Sequence, residues 1–352
     1  MRYPRFLSDG AVLGFPAPSF GCSIEPYRSA FDRAQKVLRE RGYGTVCGPN
    51  AYADDGTGIS SSPERCGREI TEMMLSKDTD ALISCGGGEL MCEILPHTDF
   101  GSIAAADPKW FMGYSDNTNL VFLLTTLCDT AAVYGPCAAS FGMEPWHKSL
   151  EDALMLLRGE KLETEGYPLY ETQPDKDAEH PYEPYACTEP RRIRAWRTGE
   201  GILEQGGGKK LSCSGRLVGG CLDILATLCG TEYDRVKDFS EKYRDDGLIW
   251  FIEACDLTVF GIRRALWQLK NAGWFRTARG FLIGRPWAAQ QDVMGLDHIR
   301  AVTEALEDLK LPFLLDTDIG HLPPMMPLIS GSMADVQYDV DADRFHLTMR
   351  PE

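Results

Sequence analysis

A buried strand runs directly into a helix within WFMGYSDN, the segment Trp110–Asn117. Its first three residues are apolar, which is typical of a strand covered on both faces, and an apolar helical pattern follows over Asp116–Leu127. Gly113 supplies the small residue that a tight turn needs, and Ser115 follows where the chain leaves the strand. The segment therefore predicts a strand–helix unit with a serine at the carboxyl end of the strand.

Predicted strands and helices alternate on both sides of this segment, through the first 145 residues. The predicted strands are Ala11–Phe15, Thr45–Cys47, Ala81–Ser84, Trp110–Met112 and Ala132–Tyr134, and the predicted helices are Pro26–Arg41, Ser62–Leu75 and Asp116–Leu127. This order predicts an α/β fold in which a parallel sheet carries helices on both faces. Functional residues of such sheets lie at the carboxyl ends of the strands.

A second set of elements begins near Gly201 and continues to the end of the chain. Its predicted strands are Arg216–Val218, Leu248–Ile252, Phe281–Ile283 and Phe313–Leu315, with helices over Cys221–Leu228, Val259–Ala272 and Asp297–Leu309 and a closing hairpin of Met333–Val340 and Phe345–Met349. A length of 352 residues also suggests two domains. We predict an N-terminal α/β domain over residues 1–146 and a C-terminal domain over residues 201–352.

Residues 147–200 separate the two predicted domains as a linker or insertion. Within them Glu160–Glu189 carries nine acidic residues, four prolines and four tyrosines, and has no clear period. One interpretation is a solvated linker without a core of its own. The other is a lid whose tyrosines, Tyr182 among them, touch substrate. Deleting Pro168–Pro184 would then raise KM for a bulky substrate and spare the hydrolysis of a small ester.

Charge and cysteine usage exclude several function classes. The net charge of −16 disfavours nucleic-acid polymers and anionic membranes as partners, although a small anion in a basic pocket remains compatible. The twelve cysteines are scattered, without CxxC pairs or zinc-ligand spacing. With no signal peptide or membrane-length apolar run, we expect a cytoplasmic protein with reduced thiols.

Two turns after predicted strands are candidates for chemistry. Ser115 has the position of a nucleophile elbow, although a serine before a helix is more often an N-cap. The sequence CGGGE at Cys85–Glu89 is compatible with a plain turn, a phosphate cradle or an oxyanion-binding loop. If Ser115 is a nucleophile, the backbone N–H groups of Gly87 or Gly88 and of Asp116 are the expected oxyanion donors.

A nucleophilic serine needs a base, and the base needs an orienting carboxylate. Among six histidines, His321 is the best candidate because glycine and proline fix its loop, although a solvent-exposed histidine is equally compatible. Glu253 ends the apolar run LIWFIE, where a carboxylate is either solvated as a strand cap or paired.

At this point the sequence resembles the LD-carboxypeptidases and the microcin C self-immunity peptidases over nearly its whole length. The shared motifs are Pro16–Ser19, the glycine loop Cys85–Gly88, GYSD at Gly113–Asp116, GRLVGG at Gly215–Gly220, FIE at Phe251–Glu253, and Gly320-His321 followed by Pro327. The chain departs from the family where Cys221 stands in place of the usual asparagine.

The resemblance implies a flavodoxin-like or class I amidotransferase-like N-terminal domain and a C-terminal α/β domain of the LD-carboxypeptidase type. It implies a homodimeric serine peptidase without metal or cofactor, with Ser115 as nucleophile, His321 as base and Glu253 as orienting acid. The substrate would be a muropeptide or a peptidyl nucleotide. Substrate contacts are expected from Gly88, Arg216 and Tyr182, and Arg263 is a further candidate for a substrate carboxylate.

Two alternatives from other classes stay open. One is a glutamine-amidotransferase-like enzyme with Cys85 as nucleophile, although Cys85 precedes the glycine loop and does not lie at an elbow. The other is a catalytically silent protein that binds small anions through the glycine loop. A serine-directed probe distinguishes all three interpretations.

Overall fold

The computed structural model describes residues 1–172 and 177–351 and divides the chain into two compact units. The first unit comprises Met1–Lys161 and Gln173–Ala186, and the second comprises Leu162–Thr172 and Cys187–Glu352. The chain therefore passes from one unit to the other three times. All three passages fall within the tyrosine-rich segment Glu160–Glu189, so this segment contributes to both units.

The first unit contains a parallel sheet with helices. Its elements are β1 Val12–Phe15, α1 Tyr27–Glu40, β2 Gly44–Cys47, α2 Pro63–Leu75, β3 Ala81–Ile83, α3 Phe100–Ala105, β4 Trp110–Gly113, α4 Thr118–Thr126, β5 Ala132–Tyr134 and α5 Lys148–Leu157. Short 3-10 helices cover Met91–His97, Ser115–Asn117 and Ala138–Gly142. The strands of this unit lie in the order β5-β4-β3-β1-β2, and all their pairings are parallel.

Apolar spacing explains why these helices cover the sheet. Helix α1 buries Ala30, Phe31, Ala34 and Leu38, which recur at helical spacing, and Phe31 meets Phe15 of β1 edge-on at 5.4 Å. A fully buried phenylalanine stabilises the fold by about 1.5–3 kcal/mol. Helix α4 is buried at all nine residues, five of which form the apolar run Leu120–Leu124.

The second unit contains a nine-stranded mixed sheet. The strands of this unit, which include three outside that sheet, are β6 Glu163–Thr164, β7 Leu169–Tyr170, β8 Glu189–Pro190, β9 Arg194–Arg197, β10 Gly201–Ile202, β11 Lys210–Cys221, β12 Leu248–Glu253, β13 Ala278–Gly284, β14 Phe313–Thr317, β15 Leu328–Ser330, β16 Met333–Asp339 and β17 Arg344–Arg350. Its helices are α6 Leu222–Leu228, α7 Val236–Lys242, α8 Val259–Asn271 and α9 His298–Leu306, followed by a 3-10 turn over Glu307–Leu309.

Strand order places the ends of three parallel strands side by side. The sheet runs β10-β9-β14-β13-β12-β11-β16-β17-β6, whereas β7 and β8 form a separate two-stranded sheet. Strand β11 changes partner at Arg216: its first half pairs antiparallel with β16, and its second half pairs parallel with β12. Because β12, β13 and β14 are parallel neighbours, the segments that follow them meet at one sheet edge.

The predicted fold class is confirmed: the protein is α/β, with a parallel-sheet domain followed by a second α/β domain. The tyrosine-rich segment differs from the expectation of a period-free segment without a core, because it forms β6, β7 and β8. Tyr167 in particular is only 2% exposed. Residues 173–176, which belong to the predicted lid, lie outside the described residues. In the described ranges no helix combines the length and apolarity needed to cross a membrane.

Candidate active site

Ser115 lies at a strained turn between β4 and α4. Its φ angle is +63°, in the left-handed region that residues with a side chain seldom adopt. An N-cap serine has extended φ/ψ angles, so Ser115 does not have the backbone conformation of a helix cap. Its backbone N–H donates to the Tyr134 hydroxyl at 3.3 Å. A strained serine at a strand-to-helix turn is the geometry of a nucleophile elbow.

The glycine loop lies against this serine. It follows β3, the parallel neighbour of β4, so the two loops leave the same sheet edge. A side chain at Gly87 would place its Cβ atom only 3.3 Å from the Ser115 Oγ atom. The Asn117 amide donates to the carbonyl oxygens of Gly86 at 2.8 Å and Tyr114 at 3.1 Å, which ties the loop to the elbow. The structure thus brings together two of the predicted site residues, Gly87 and Ser115.

A buried carboxylate after the serine joins three loops. Asp116 is 1% exposed, and its carboxylate accepts hydrogen bonds from the Ser19 hydroxyl, the Met91 N–H at 2.9 Å and the Asn119 amide at 3.0 Å. Burial raises the pKa of Asp116 above its ordinary value of 3.8, although these hydrogen bonds act in the opposite direction. Sequence reasoning assigned only the backbone N–H of Asp116 and missed its side chain.

A methyl group at Gly87 is expected to impair catalysis without unfolding the protein. In Gly87→Ala the new Cβ atom crowds Ser115, so we expect a fall of about 10-fold in kcat and a change in unfolding free energy of about 1 kcal/mol or less. Gly86→Ala is the matched control, because its Cβ atom would make only an ordinary 3.5 Å contact with the Phe20 carbonyl. Equal kcat values for both variants would show that the loop does not adjust the serine.

In the second unit, Glu253 and His321 form a buried pair. The Nδ1 atom of His321 lies 2.9 Å from the Oε2 atom of Glu253, and their side chains are 11% and 0% exposed. A carboxylate carries no proton, so the imidazole Nδ1–H donates to it. Glu253 ends β12 and His321 follows β14, so β13 lies between their strands. The structure thus brings together the other two members of the predicted triad.

Two glycines make room for this pair. At the end of β13, a side chain on Gly284 would collide with the Ile319 carbonyl and with Glu253, so only glycine lets the loop from β14 cross towards Glu253. Gly320 has φ +105°, and a Cβ atom there would lie 2.5 Å from the Glu253 Oε2 atom. The glycine before His321 was noted in the sequence, whereas the role of Gly284 requires the strand order.

The environment of His321 favours the imidazolium. Burial by itself lowers the pKa of His321, but the Glu253 carboxylate and the neighbouring Cys255 outweigh burial and raise the pKa well above 6.5. Glu253 thereby stabilises the charge that a general base acquires when it accepts a proton. This is the electrostatic relation between the second and third members of a catalytic triad.

The turn after Glu253 is fixed from two sides, by residues that sequence reasoning missed. Asp223 accepts the backbone N–H groups of Cys255 at 3.1 Å and Asp256 at 3.0 Å. From the other side, the Trp287 N–H donates to the Ala254 carbonyl at 3.0 Å. The Trp287 ring stands perpendicular to the His321 ring at 6.3 Å and is 39% exposed. In the sequence, the signals that could have identified these two residues were an aspartate at a predicted helix start and a tryptophan after a predicted strand.

The other expected substrate contacts lie in different places. Gly88 packs against the Ser19 side chain, at the glycine loop. Tyr182 belongs to the first unit, where its ring covers the Arg33 guanidinium at 5.0 Å. Arg263 pairs with Glu304, between α8 and α9.

Arg216 lies far from Glu253. It pairs with Leu248 at the start of β12, whereas Cys221 pairs with Glu253 at the end. Five residues of strand place them about 16 Å apart. Arg216 is 5% exposed, forms an ion pair with Asp246 and donates to the Gly331 carbonyl. The structure therefore separates Arg216 from the His321–Glu253 pair.

The cysteines singled out in the sequence are buried. Cys85 has no exposed surface, its thiol donates to the Phe15 carbonyl at 3.5 Å, and burial raises its pKa well above 9.0. A thiol in this state is a poor nucleophile. Cys221, which replaces the asparagine usual in the family, lies beside Glu253 and donates to Asp223 at 3.4 Å. Within residues 1–172 and 177–351, no three His, Cys, Asp or Glu side chains are grouped to hold a metal ion.

Two family models match complementary parts of the chain. The LD-carboxypeptidase N-terminal domain matches residues 13–135, and the LD-carboxypeptidase C-terminal domain matches residues 214–336. Together they cover more than half of the chain. The first match includes Gly87 and Ser115, and the second includes Glu253 and His321.

Proteins of similar sequence or structure match nearly the whole length of this chain. The microcin C7 self-immunity protein MccF of Escherichia coli is 24% identical over 336 residues, which are 95% of this chain and 92% of that protein. The crystal structure of an MccF-like protein from Bacillus anthracis matches with a TM-score of 0.81 and 21% identity, covering 99% of both chains. MccF in complex with aspartyl sulfamoyl adenosine matches with a TM-score of 0.77 and 21% identity, covering 99% of this chain and 98% of that one. At these identities the structural matches establish the fold.

Proposed function

Because the chain belongs to the LD-carboxypeptidase family, we propose that it is a serine peptidase that hydrolyses an amide bond through an acyl-enzyme. The observation that carries this proposal is the strained Ser115 elbow, with Gly87 against its Oγ atom. Backbone strain of this kind persists where function requires it. The buried His321–Glu253 pair in the other unit supplies the chemistry that a serine nucleophile needs.

The proposed reaction uses only groups of this chain and water. His321 accepts the Ser115 proton while Oγ attacks the amide carbonyl carbon. The backbone N–H groups of Gly87 and Asp116 hold the oxyanion, and His321 then gives the proton to the leaving amine. Water hydrolyses the ester in the reverse sequence and regenerates Ser115. Glu253 keeps the imidazole in the correct tautomer and stabilises its charge throughout.

The proposed substrate is a small peptide conjugate, either a muropeptide or a peptidyl nucleotide of the microcin C type. The family favours the first, whereas the similarity to MccF, whose structure was solved with aspartyl sulfamoyl adenosine, favours the second. The partly exposed Trp287 ring offers a flat surface beside His321 for either class. Turnover of both substrates by the same preparation distinguishes them, and the preferred one shows the higher kcat/KM.

A fluorophosphonate probe tests the reaction type. We expect it to label one residue, Ser115, as located by peptide mapping, and we expect no label in Ser115→Ala. Labelling of a thiol by an electrophilic glutamine analogue at Cys85 would favour an amidotransferase-like enzyme, which the buried state of Cys85 disfavours. A protein that takes up neither reagent and turns over neither substrate would be a binding protein, and the proposal would be wrong.

A further inference from the structure

A buried ion pair lies beneath the loop that carries His321. The Nη1 atom of Arg285 lies 2.6 Å from the Oδ1 atom of Asp318, and the two side chains are 6% and 1% exposed. Arg285 follows β13 directly and Asp318 follows β14, so the parallel strands bring together two residues far apart in sequence. Buried charges are retained in proteins where they are paired and hydrogen-bonded.

The same guanidinium holds the loop at two further points. Arg285 donates to the carbonyl oxygen of Asp316 at 3.2 Å and of Leu322 at 3.4 Å. These carbonyls flank His321, one before it and one immediately after it. A planar guanidinium directs several N–H groups at fixed angles, which a lysine ammonium cannot do. Arg285 therefore spans the loop from the end of β14 to the residue after His321.

The tyrosine-rich segment supports this pair from its other side. The second carboxylate oxygen of Asp318 accepts the Tyr167 N–H at 2.8 Å, and the Tyr170 ring lies 4.4 Å from the Arg285 guanidinium. The Glu171 N–H donates to the Pro323 carbonyl at 2.8 Å, two residues beyond His321. Residues 167–171 therefore pack onto the loop of His321, within the second unit.

We propose that the Arg285–Asp318 pair, covered by residues 167–171, is a positioning device for His321. It acts on the loop through Asp318 and through the backbone carbonyls of Asp316 and Leu322, so Arg285 is a positioning residue and not a catalytic one. The proposal rests on the proposed function, in which His321 is the general base. In this proposal residues 167–171 support His321 and do not contact substrate. Deleting Pro168–Pro184 would therefore lower kcat even for a small ester.

Arg285→Lys tests this role, because it keeps the charge and removes the planar set of donors. With a small activated ester as substrate, we expect kcat to fall about 10- to 100-fold while KM changes little, since a displacement near 1 Å has effects of this size. We also expect the pKa of His321, followed by NMR, to fall towards 6.5 as its pairing with Glu253 loosens. The His321 signal is assigned by its loss in His321→Gln.

Arg216→Lys is the matched control. Arg216 is equally buried, is paired with an aspartate, donates to a carbonyl and lies 4.2 Å from a tyrosine ring, yet it stands at the other end of β12. We expect it to lower stability while leaving kcat and the His321 titration as in wild type. Equal effects of both variants on kcat and on the His321 titration would overturn the proposal, because they would show a general loss of stability and no specific effect on the His321 loop.

If Arg285→Lys does not fold, Tyr170→Leu is a second variant that tests the same positioning role. It removes the ring that covers the guanidinium, and we expect a several-fold fall in kcat with unchanged KM and a smaller shift of the His321 titration in the same direction. Wild-type values for both readouts would overturn the proposal. The NMR titration needs no turnover, so it still decides the positioning role if neither substrate class is hydrolysed and the proposed function fails.

Discussion

Ser115→Ala is expected to abolish hydrolysis, with kcat at least about 10⁴-fold below wild type. The substitution removes the atom that forms the acyl-enzyme and leaves the backbone turn in place. Alanine suffers the same strain as serine at φ +63°, so unfolding free energy should change by less than about 1 kcal/mol. Steady-state kinetics and chemical denaturation of the same preparation measure both effects.

Ser115→Gly separates strain from chemistry. Glycine adopts positive φ without a steric cost, so this variant should be equally inactive but about 1 kcal/mol more stable than wild type. A functional residue whose removal stabilises the fold is the signature of an active-site trade-off. Retention of a tenth of the wild-type rate by either variant would contradict the serine-peptidase proposal.

Glu253→Gln is expected to lower kcat by about 10³-fold, less than the serine substitution. The amide preserves shape but not charge, and its NH₂ group can donate to Nδ1 and stabilise the wrong imidazole tautomer. In the wild type the pKa of His321 is raised well above 6.5. The base must be neutral to accept a proton, so kcat/KM should increase as the pH rises through this raised pKa. In the variant this limb should move to lower pH, because the stabilising charge is gone.

The same pair links stability to pH. A histidine with a raised pKa in the folded state contributes stability that is fully present below 6.5 and is lost as the pH rises through the raised value. The difference in unfolding free energy between wild type and Glu253→Gln should therefore be larger at pH 6 than at pH 9. A pH-independent difference, with an unmoved rate profile, would reduce Glu253 to a strand cap.

Sequence patterns predicted the first unit well because its signals are local. Four of the strands β1–β5, all except β2, are apolar runs, and helices such as α1 have one continuous apolar face. Helix α5 was not predicted, and neither were the two-residue strands β6, β7, β8 and β10, since so short a strand has no measurable period. Strand β11 begins at Lys210, before the predicted start at Arg216. Its first residues alternate polar and apolar, which is typical of a strand, and the prediction missed this pattern.

The site was predictable only as separate parts. Motifs led to Ser115, Glu253 and His321, and the structure pairs the last two. The residues that hold them came from strand order instead: Gly284 matters because β13 lies between β12 and β14, and Arg285 meets Asp318 because their strands are neighbours. No local pattern distinguishes a buried arginine of this kind from Arg216, which has the same kinds of partner (an aspartate, a backbone carbonyl and a tyrosine ring) elsewhere in the sheet.

The pairing of β6 with β17 has a consequence for synthesis on the ribosome. Thr164 lies opposite Leu347, so the first strand of the second unit has no neighbour in that sheet until the last strand has been translated. At about 5–20 residues per second, β6 waits for about 10 to 40 seconds. Since β6 leads directly into residues 167–171, the segment that supports His321 is anchored to the sheet on its N-terminal side only when the last strand is in place. A chain that stops before β17 should therefore leave β6 unpaired.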